Sequence, residues 1–328
     1  MQHKMNGLSL VLAMMLAACT TASVPAPQTA SLNLHDAGPW PLLNAGQSLG
    51  QATGIDVDRN GKLYIFHRAS RKWVEPFPVE PISEDTIAVS DAGGRLIASW
   101  GRNLFIMPHG LSLDSSGNVW VTDVGAHQVR QFSPAGRLLL TLGEFRKAGN
   151  DRAHFNRPTD VAFGPDGTVY VSDGYENTRV VRFTPDGLYL GEWGVPGKGP
   201  GQFDLPHGIA VDRSGRVYVA DRENLRVQIF DANGRYVTEW GSNLLGDPYG
   251  VTAARDGSIY VIDGGFQPDR TRARVIHLTS AGKVLGTFTA ATATDRDVLG
   301  HDIAIGPDGT VYVADAWANR IRKLSVRR

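Results

Sequence analysis

Cysteine is almost absent from this chain. Among 328 residues only Cys19 is a cysteine, so no disulfide can form within the chain, and packing or metal ions must hold the fold. Charge of either sign is not in excess, because 33 basic residues balance 33 acidic ones. The chain therefore gives no electrostatic reason to bind nucleic acid or an anionic membrane surface. Long helical periods are also missing, while β-branched and aromatic residues alternate in short runs, which predicts an all-β fold.

The first 18 residues resemble a lipoprotein-type signal peptide. A basic start with Lys4 precedes an apolar stretch at residues 8–16, which is too short to span a membrane comfortably as a helix. The stretch ends in Leu16-Ala17-Ala18-Cys19, which resembles the lipobox of bacterial lipoproteins. We expect Cys19 to carry lipid, residues 19–38 to form a flexible tether, and the protein to lie at the bacterial cell envelope, facing the periplasm or the outer membrane. A cleaved signal peptide with a chance cysteine is the alternative.

Residues 39–328 repeat one template six times. Each copy has an inner strand, a turn and a second strand, and five copies end in an aspartate. The copies are residues 54–67, 110–123, 160–173, 208–221, 250–263 and 302–315. They begin 42–56 residues apart, close to the roughly 40–50 residues of propeller blades. A third and a fourth strand follow in most copies, and four antiparallel strands make one blade, so the sequence predicts a six-bladed β-propeller.

The sixth copy has a third strand at Arg320–Val326 but no fourth. We expect residues 40–44, ahead of the first copy, to pair with that strand and close the ring. Closure would remove the exposed sheet edges that an open array leaves. The alternative is that residues 31–50 form a structureless extension.

Three histidines occupy the same position in alternate copies. His109, His207 and His301 each immediately precede the inner strand of copies two, four and six. In a closed ring, every second blade would then present an imidazole at one height around the axis. Three neutral imidazoles with one open position are typical of a catalytic zinc site. The alternative is that each histidine merely fills the mouth of the channel.

Three further polar residues are expected on the same face as the histidines. The connections of an up-and-down blade alternate between the two faces of the ring, so the entry to strand one and the loop after strand two share a face. Arg68, Tyr175 and Arg222 follow strand two in copies one, three and four. Cations there would hold a carboxylate, and a tyrosine beside a metal can act as a base because positive charge lowers its pKa. Asp302 is ambiguous, since copy three has Asp160 in the same position.

A family resemblance rests on several stretches, some of them outside the repeat template. They are Phe66-His67-Arg68, Glu84-Asp85-Thr86-Ile87, Asn103-Leu104-Phe105, Pro108-His109-Gly110-Leu111, Trp120-Val121-Thr122-Asp123-Val124, His127-Gln128-Val129, Pro158-Thr159-Asp160-Val161, Ser172-Asp173-Gly174-Tyr175, Pro206-His207, Ala220-Asp221-Arg222-Glu223-Asn224 and His301-Asp302-Ile303. With these stretches the chain resembles the peptidyl-α-hydroxyglycine α-amidating lyases, six-bladed propellers of NHL-type repeats. The resemblance covers roughly residues 50–325.

The resemblance implies two metal sites and a catalytic pair. The family's zinc histidines fall on His109, His207 and His301, its catalytic arginine and tyrosine on Arg68 and Tyr175, and a further active-site arginine on Arg222. Its structural calcium, held by two backbone carbonyls and one carboxylate, falls on Ile55, Leu111 and Asp302. That assignment resolves the ambiguity of Asp302 in favour of a ligand.

The implied reaction is cleavage of the C–N bond of an N-acyl- or peptidyl-α-hydroxyglycine to an amide and glyoxylate. Zinc would polarise a substrate oxygen, and Tyr175 would remove the hydroxyl proton. Arg68, with Arg222, would stabilise the carboxylate or the developing charge. The partner is then a small molecule or peptide ending in α-hydroxyglycine, and we expect a monomer that meets the membrane only through its lipid.

Three features depart from the family. Glu176 replaces a cysteine of the animal enzymes, Leu299-Gly300 replaces a methionine-proline pair before the third histidine, and no monooxygenase domain accompanies the propeller. Two other functions stay open for the sequence alone. One is a non-catalytic propeller that binds a protein or glycan partner at the envelope, and the other is a different metal-dependent propeller enzyme, such as a lactonase or another lyase.

Overall fold

A computed structural model describes residues 34–43, 48–241, 243–264, 274–289 and 300–326. These residues form an all-β protein, whose single helix is a 3-10 turn at Arg222–Asn224. Across the described ranges no helix has the length and apolarity needed to cross a membrane. Leu299 and Cys19, on which two of the expectations depend, lie outside the described residues.

Six four-stranded antiparallel sheets form the six blades. The first strand in the chain is β1 (Leu34–Trp40), and blade one follows with β2 (Ala52–Val57), β3 (Leu63–His67), β4 (Ile87–Ser90) and β5 (Leu96–Trp100). Blade two contains β6 (Pro108–Leu113), β7 (Val119–Asp123), β8 (Gln128–Phe132) and β9 (Leu138–Leu142). Blade three contains β10 (Pro158–Phe163), β11 (Val169–Asp173), β12 (Arg179–Phe183) and β13 (Tyr189–Trp193), and a small parallel pair, β14 (Val195–Pro196) and β15 (Gln202–Phe203), follows it.

The second half of the ring repeats this order. Blade four contains β16 (Pro206–Val211), β17 (Val217–Asp221), β18 (Arg226–Phe230) and β19 (Tyr236–Trp240). Blade five contains β20 (Pro248–Ala253), β21 (Ile259–Asp263), β22 (Arg274–Leu278) and β23 (Val284–Thr289). Blade six contains β24 (Gly300–Ile305), β25 (Val311–Asp315) and β26 (Arg320–Val326), and β1 lies beside β26 as its fourth strand. The six-bladed propeller predicted from the repeats is confirmed.

The hydrophobic core lies between neighbouring blades. Every residue of the second strands β7, β11 and β17 is buried, because each of these strands packs on blades at both of its faces. One core cluster, for example, joins Trp120 of blade two to Val161 and Val171 of blade three. The fourth strands lie at the rim, and in β13 half-buried and exposed residues alternate. Burial therefore alternates along the outer strand β13, whereas the second strands are buried along their whole length.

The aspartate at the end of strand two has a structural role. In blade three Asp173 accepts a hydrogen bond of 2.9 Å from the backbone N–H of Asn156 and one of 3.0 Å from Arg179 Nε. Both partners belong to segments that must meet at this edge: the connection from the preceding blade and the third strand of the same blade. The aspartate therefore ties consecutive blades together.

The strand that completes blade six begins earlier than expected. β1 runs antiparallel to β26, with Leu34 opposite Val326 and Trp40 opposite Ile321. The predicted segment, residues 40–44, contributes only Trp40 to this strand. The pairing with β26 ends at Trp40, directly before Pro41. The boundary placed at residue 39 is therefore also displaced, because β1 starts inside the range expected as a tether.

Candidate active site

The three histidines converge on the axis of the propeller. The ring centroids of His109, His207 and His301 lie 4.6–4.9 Å apart, and all three side chains are buried. Each residue belongs to the start of an inner strand, at β6, β16 and β24. Equivalent positions in alternate blades thus point into one small space, as the repeat register predicts.

The intervening blades orient the three rings. Nδ1 of His109 lies 2.6 Å from the backbone oxygen of Thr159, and Nδ1 of His207 lies 2.9 Å from that of Tyr249. Nδ1 of His301 lies 2.7 Å from the backbone oxygen of Thr53. A carbonyl can only accept a hydrogen bond, so each Nδ1 must carry the proton and each Nε2 keeps a lone pair. This orientation by a backbone carbonyl is characteristic of metal-binding histidines.

The three imidazoles fit a metal ion. One ligand atom from each residue can be chosen so that all lie within 4.8 Å of one another. In a tetrahedral zinc site with ligand distances of about 2.0–2.1 Å, the three nitrogens lie closer together than this limit. Zinc binding would therefore draw them together by on the order of 1 Å. Burial, followed by nearby positive charge from Arg68, lowers the pKa of His301 to about 3. Burial and the other two rings lower the pKa of His109 well below its usual value, so the rings stay neutral, the form that binds metals.

Tyr175 reaches this cluster from the loop after β11. Its hydroxyl lies 3.0 Å from Nε2 of His109 and 3.4 Å from Nε2 of His207. Burial raises the pKa of Tyr175, while the charges of Arg222 and Arg68 act to lower it. Positive charge therefore acts in the expected direction, but burial has the larger effect in the protein by itself.

Arg68 is a buried cation beside the histidines. Its Nε donates a hydrogen bond of 3.1 Å to the carbonyl of Pro108, and Nη1 donates one of 2.9 Å to Gln51 Oε1. Burial lowers its pKa to about 10, which still leaves it charged at neutral pH. Both of these hydrogen-bond partners are neutral, so they do not offset the buried charge of Arg68, and an anionic ligand could offset it.

Arg222 lies on the same face but differs in its charge environment. Its Nε and Nη2 donate to Glu223 Oε1 at 3.0 and 2.8 Å, and its guanidinium carbon lies 4.9 Å from the centre of the Tyr249 ring. It also lies 5.8 Å from the centre of the Tyr175 ring. Since a carboxylate already holds Arg222, Arg68 is the better placed of the two arginines to bind a substrate carboxylate.

A second group of residues lies below the histidines, nearer the other face of the channel. Ile55, Leu111 and Asp302 line one cavity of about 380 Å³ there. Asp302 Oδ2 accepts a hydrogen bond of 2.9 Å from the backbone N–H of Ile55. Burial, followed by the charge of Asp160, raises the pKa of Asp302 well above its ordinary value. Buried oxygen ligands of this kind suit a hard cation, whose charge would offset the cost of an ionised Asp302.

Comparisons with known proteins support the family resemblance. The NHL repeat model matches residues 105–132, 155–183 and 203–230. The Caenorhabditis elegans protein named "Probable peptidyl-alpha-hydroxyglycine alpha-amidating lyase pgal-1" is 32% identical over 301 residues, which cover 86% of this chain and 85% of the relative. The chain belongs to the peptidyl-α-hydroxyglycine α-amidating lyase family.

Two further comparisons set the limits of this family assignment. Peptidyl-glycine alpha-amidating monooxygenase B of Xenopus laevis is 38% identical over 316 residues, which cover 90% of this chain and 36% of that relative. The chain thus spans about a third of that longer protein. A solved streptogramin B lyase superposes with a TM-score of 0.59, covering 90% of this chain and 97% of that one, at 16% identity. At that identity the likeness concerns the fold alone.

The candidate site includes residues that sequence reasoning did not predict. Trp73, on the loop after Arg68, has its ring centre 5.1 Å from that of Tyr175 and 4.8 Å from the Arg68 guanidinium carbon. In the sequence, Trp73 differs from Trp100, Trp193 and Trp240 in that it does not end the fourth strand of a blade. The carbonyls of Thr53, Thr159 and Tyr249 were also missed, because a backbone role leaves no mark on residue type.

Proposed function

We propose that the protein cleaves N-acyl- or peptidyl-α-hydroxyglycines to an amide and glyoxylate at a zinc ion held by His109, His207 and His301. The observation that supports this most directly is the position of the Tyr175 hydroxyl, 3.0 Å from His109 Nε2, with the buried Arg68 beside it. A purely structural zinc is more often closed by four protein ligands, and three leave a position for substrate.

Arg68 and Tyr175 would perform separate parts of the reaction. The Arg68 guanidinium binds the substrate carboxylate, and Gln51 and the Pro108 carbonyl hold it in place while it does so. The Tyr175 phenolate takes the proton of the α-hydroxyl group, the C–N bond breaks as the aldehyde of glyoxylate forms, and the amide nitrogen receives a proton. Zinc, when bound, supplies a Lewis acid that polarises a substrate oxygen and favours the phenolate of Tyr175.

Arg222 would contribute to the site beside Tyr175. Its contact with the Tyr175 and Tyr249 rings places a positive charge near the phenolate, and Glu223 keeps its orientation. We therefore assign it to the stabilisation of negative charge at Tyr175 and to substrate binding at the rim.

Asp302, with the backbone carbonyls of Ile55 and Leu111, would hold a structural calcium. Three protein oxygens leave coordination positions for water in a cation that takes 6–8 ligands. The three residues belong to blades six, one and two, so this ion would join the two ends of the ring.

The protein would act as a lipid-anchored monomer at the bacterial cell envelope. The basis is Leu16-Ala17-Ala18-Cys19 in the sequence, with Cys19 as the lipidated residue. Its partner would be a small molecule or peptide with a C-terminal α-hydroxyglycine.

The deciding experiment is glyoxylate release by the zinc-loaded protein from an N-acyl-α-hydroxyglycine. Release well above that of buffer and zinc alone would support the lyase, and metal analysis of the same sample would identify the ion. No release above that background would favour a non-catalytic envelope propeller. Hydrolysis of a lactone in its place would indicate another metal-dependent propeller enzyme.

A further inference from the structure

The loop that joins β3 to β4, residues 68–86, folds back over the candidate active site. It has no helix or strand of its own, and loops of that length without secondary structure are uncommon and usually functional. It is nevertheless held at several points. Arg71 donates hydrogen bonds of 3.0 Å to the carbonyls of Ile106 and Glu80, and the rings of Trp73 and Phe77 pack edge to face at 4.8 Å.

Trp73 is the residue of this loop that lies between the two groups of the proposed reaction. Its ring contacts the Arg68 guanidinium at 4.8 Å on one side and the Tyr175 ring at 5.1 Å on the other. It also approaches the ring of His109 to 6.4 Å. Among aromatic side chains, tryptophan most strongly attracts a cation to the face of its ring. This contact therefore restrains Arg68 without neutralising its charge.

Arg157 connects this loop to Tyr175. Its Nη1 and Nη2 lie 3.1 Å from the two carboxylate oxygens of Glu75, and its guanidinium carbon lies 5.0 Å from the centre of the Phe77 ring. Its backbone carbonyl accepts a hydrogen bond of 3.4 Å from the N–H of Tyr175. One residue therefore holds both the loop and the turn that carries Tyr175.

The Arg157–Glu75 pair contributes little to overall stability. The Glu75 side chain is 46% exposed, and ion pairs so open to water add little to the free energy of folding. Its two-point geometry nevertheless fixes where the loop lies. The pair can therefore determine the position of the loop, although it adds little to the stability of the fold.

We propose that Trp73 is a positioning residue that aligns Arg68 with Tyr175, and that the Arg157–Glu75 pair holds Trp73 in that place. The inference rests on the proposed function, because it concerns the alignment of the two groups assigned to the reaction. Arg68 binds the carboxylate of a small substrate, and Tyr175 takes a proton from the same molecule. If either residue shifts relative to the other, a substrate held by Arg68 no longer has its hydroxyl group within reach of Tyr175. A misplacement of about 1 Å can cost on the order of 10²-fold in rate.

The first test compares Trp73→Ala with Trp73→Phe. Trp73→Ala should lower kcat for glyoxylate release on the order of 10²-fold, with a smaller change in KM and with unchanged zinc content. Trp73→Phe should recover a substantial part of kcat, because an aromatic face remains beside both groups. Wild-type kcat in Trp73→Ala would overturn the positioning role.

The second test measures the loop without using activity. Lys72 is exposed next to Trp73, so limited digestion with trypsin, followed by mass spectrometry of the cut after Lys72, reports release of the loop. Glu75→Gln and Arg157→Gln should raise the rate of that cut roughly two- to fivefold. Glu80→Gln, which removes a charge from the same exposed loop, is the matched control and should leave the rate unchanged.

These two tests separate failure of the inference from failure of the proposed function. An unchanged cut in Glu75→Gln and Arg157→Gln would overturn the role of the ion pair, whatever the activity of the protein. A wild-type protein that releases no glyoxylate would overturn the proposed function and the positioning role with it, while the digestion would still decide the role of the ion pair.

Discussion

Nδ1 of His109 donates a hydrogen bond of 2.6 Å to the backbone carbonyl of Thr159, which occupies the equivalent position in the next blade. The same relationship joins His207 to Tyr249 and His301 to Thr53. Blades with a histidine therefore alternate with blades whose backbone orients that histidine. The orienting group is a backbone carbonyl, so threonine and tyrosine can both occupy this position.

His207→Ala should abolish stoichiometric zinc binding. Two imidazoles leave the ion with too few protein ligands, because zinc sites with an open position ordinarily keep three. Metal analysis of the purified propeller after dialysis is the measurement. His154→Ala, at a partly buried loop histidine outside the cluster, is the control and should retain one zinc. Full zinc in His207→Ala would mean that the ligands lie elsewhere.

Gly208→Ala should weaken zinc binding and destabilise the fold. A Cβ at this glycine would lie 2.5 Å from the Tyr249 carbonyl oxygen, the atom that orients His207. The backbone would have to shift, at a cost of about 1–3 kcal/mol in the free energy of unfolding. Thermal unfolding and zinc titration measure the two effects. Gly241→Ala, where a Cβ meets nothing within 4 Å, should show neither, and equal behaviour of the two variants would contradict the close approach.

Tyr175→Phe and Arg68→Ala should each lower glyoxylate release strongly while zinc content and folding are kept. Loss of one group that stabilises charge in a reaction typically costs on the order of 10²–10³ in rate. Steady-state kinetics should show the loss mainly in kcat for Tyr175→Phe and in kcat/KM for Arg68→Ala. Tyr189→Phe and Arg235→Ala, both at the rim, are the matched controls. A Tyr175→Phe variant as active as wild type would refute the assigned base.

Asp302→Asn should remove stabilisation by calcium. The carboxylate is the one charged ligand among the three residues proposed for that site, and an amide in its place loses the charge that a hard cation requires. Calcium should raise the unfolding temperature of the wild-type protein and leave that of Asp302→Asn unchanged. Magnesium is the control ion, since it prefers a smaller octahedral site. An equal calcium effect in both proteins would exclude Asp302 as a ligand.

Cys19→Ser should release the protein from the membrane fraction or leave it unprocessed. A serine has no thiol for the lipid, so the anchor expected from Leu16-Ala17-Ala18-Cys19 cannot form. Fractionation of cells followed by immunoblotting is the measurement, with an established lipoprotein of the same cells as the marker. The same distribution for Cys19→Ser and wild type would argue against lipidation.

The repeat register explains how much of this site the sequence could predict. Equivalent residues in a closed ring lie at one height, so the convergence of His109, His207 and His301 follows from counting positions in the copies. The approach of Arg68 and Tyr175 follows from the alternation of connections between the two faces. These predictions need no knowledge of the loops.

Features outside the repeat could not be predicted in the same way. Trp73 reaches the site through a long loop that pairs, at Glu75, with Arg157, a residue distant in sequence. The closing strand was expected to begin at Trp40, yet Trp40 is its last residue, packed near Tyr312 at 6.3 Å. An aromatic residue such as Trp40 indicates that a strand is present. The first and last residues of that strand depend on its pairing with β26, far along the chain.

The direction of β1 determines how an attached protein would present its site. β26 begins beside Asp315, at the end of blade six where His301 lies, and Leu34 pairs with Val326 at the other end. Whatever precedes Leu34 therefore joins the propeller at the face remote from the histidines. A protein held to a bilayer through that segment would have the face that carries the histidines directed away from the lipid, and its substrate would approach from the aqueous side.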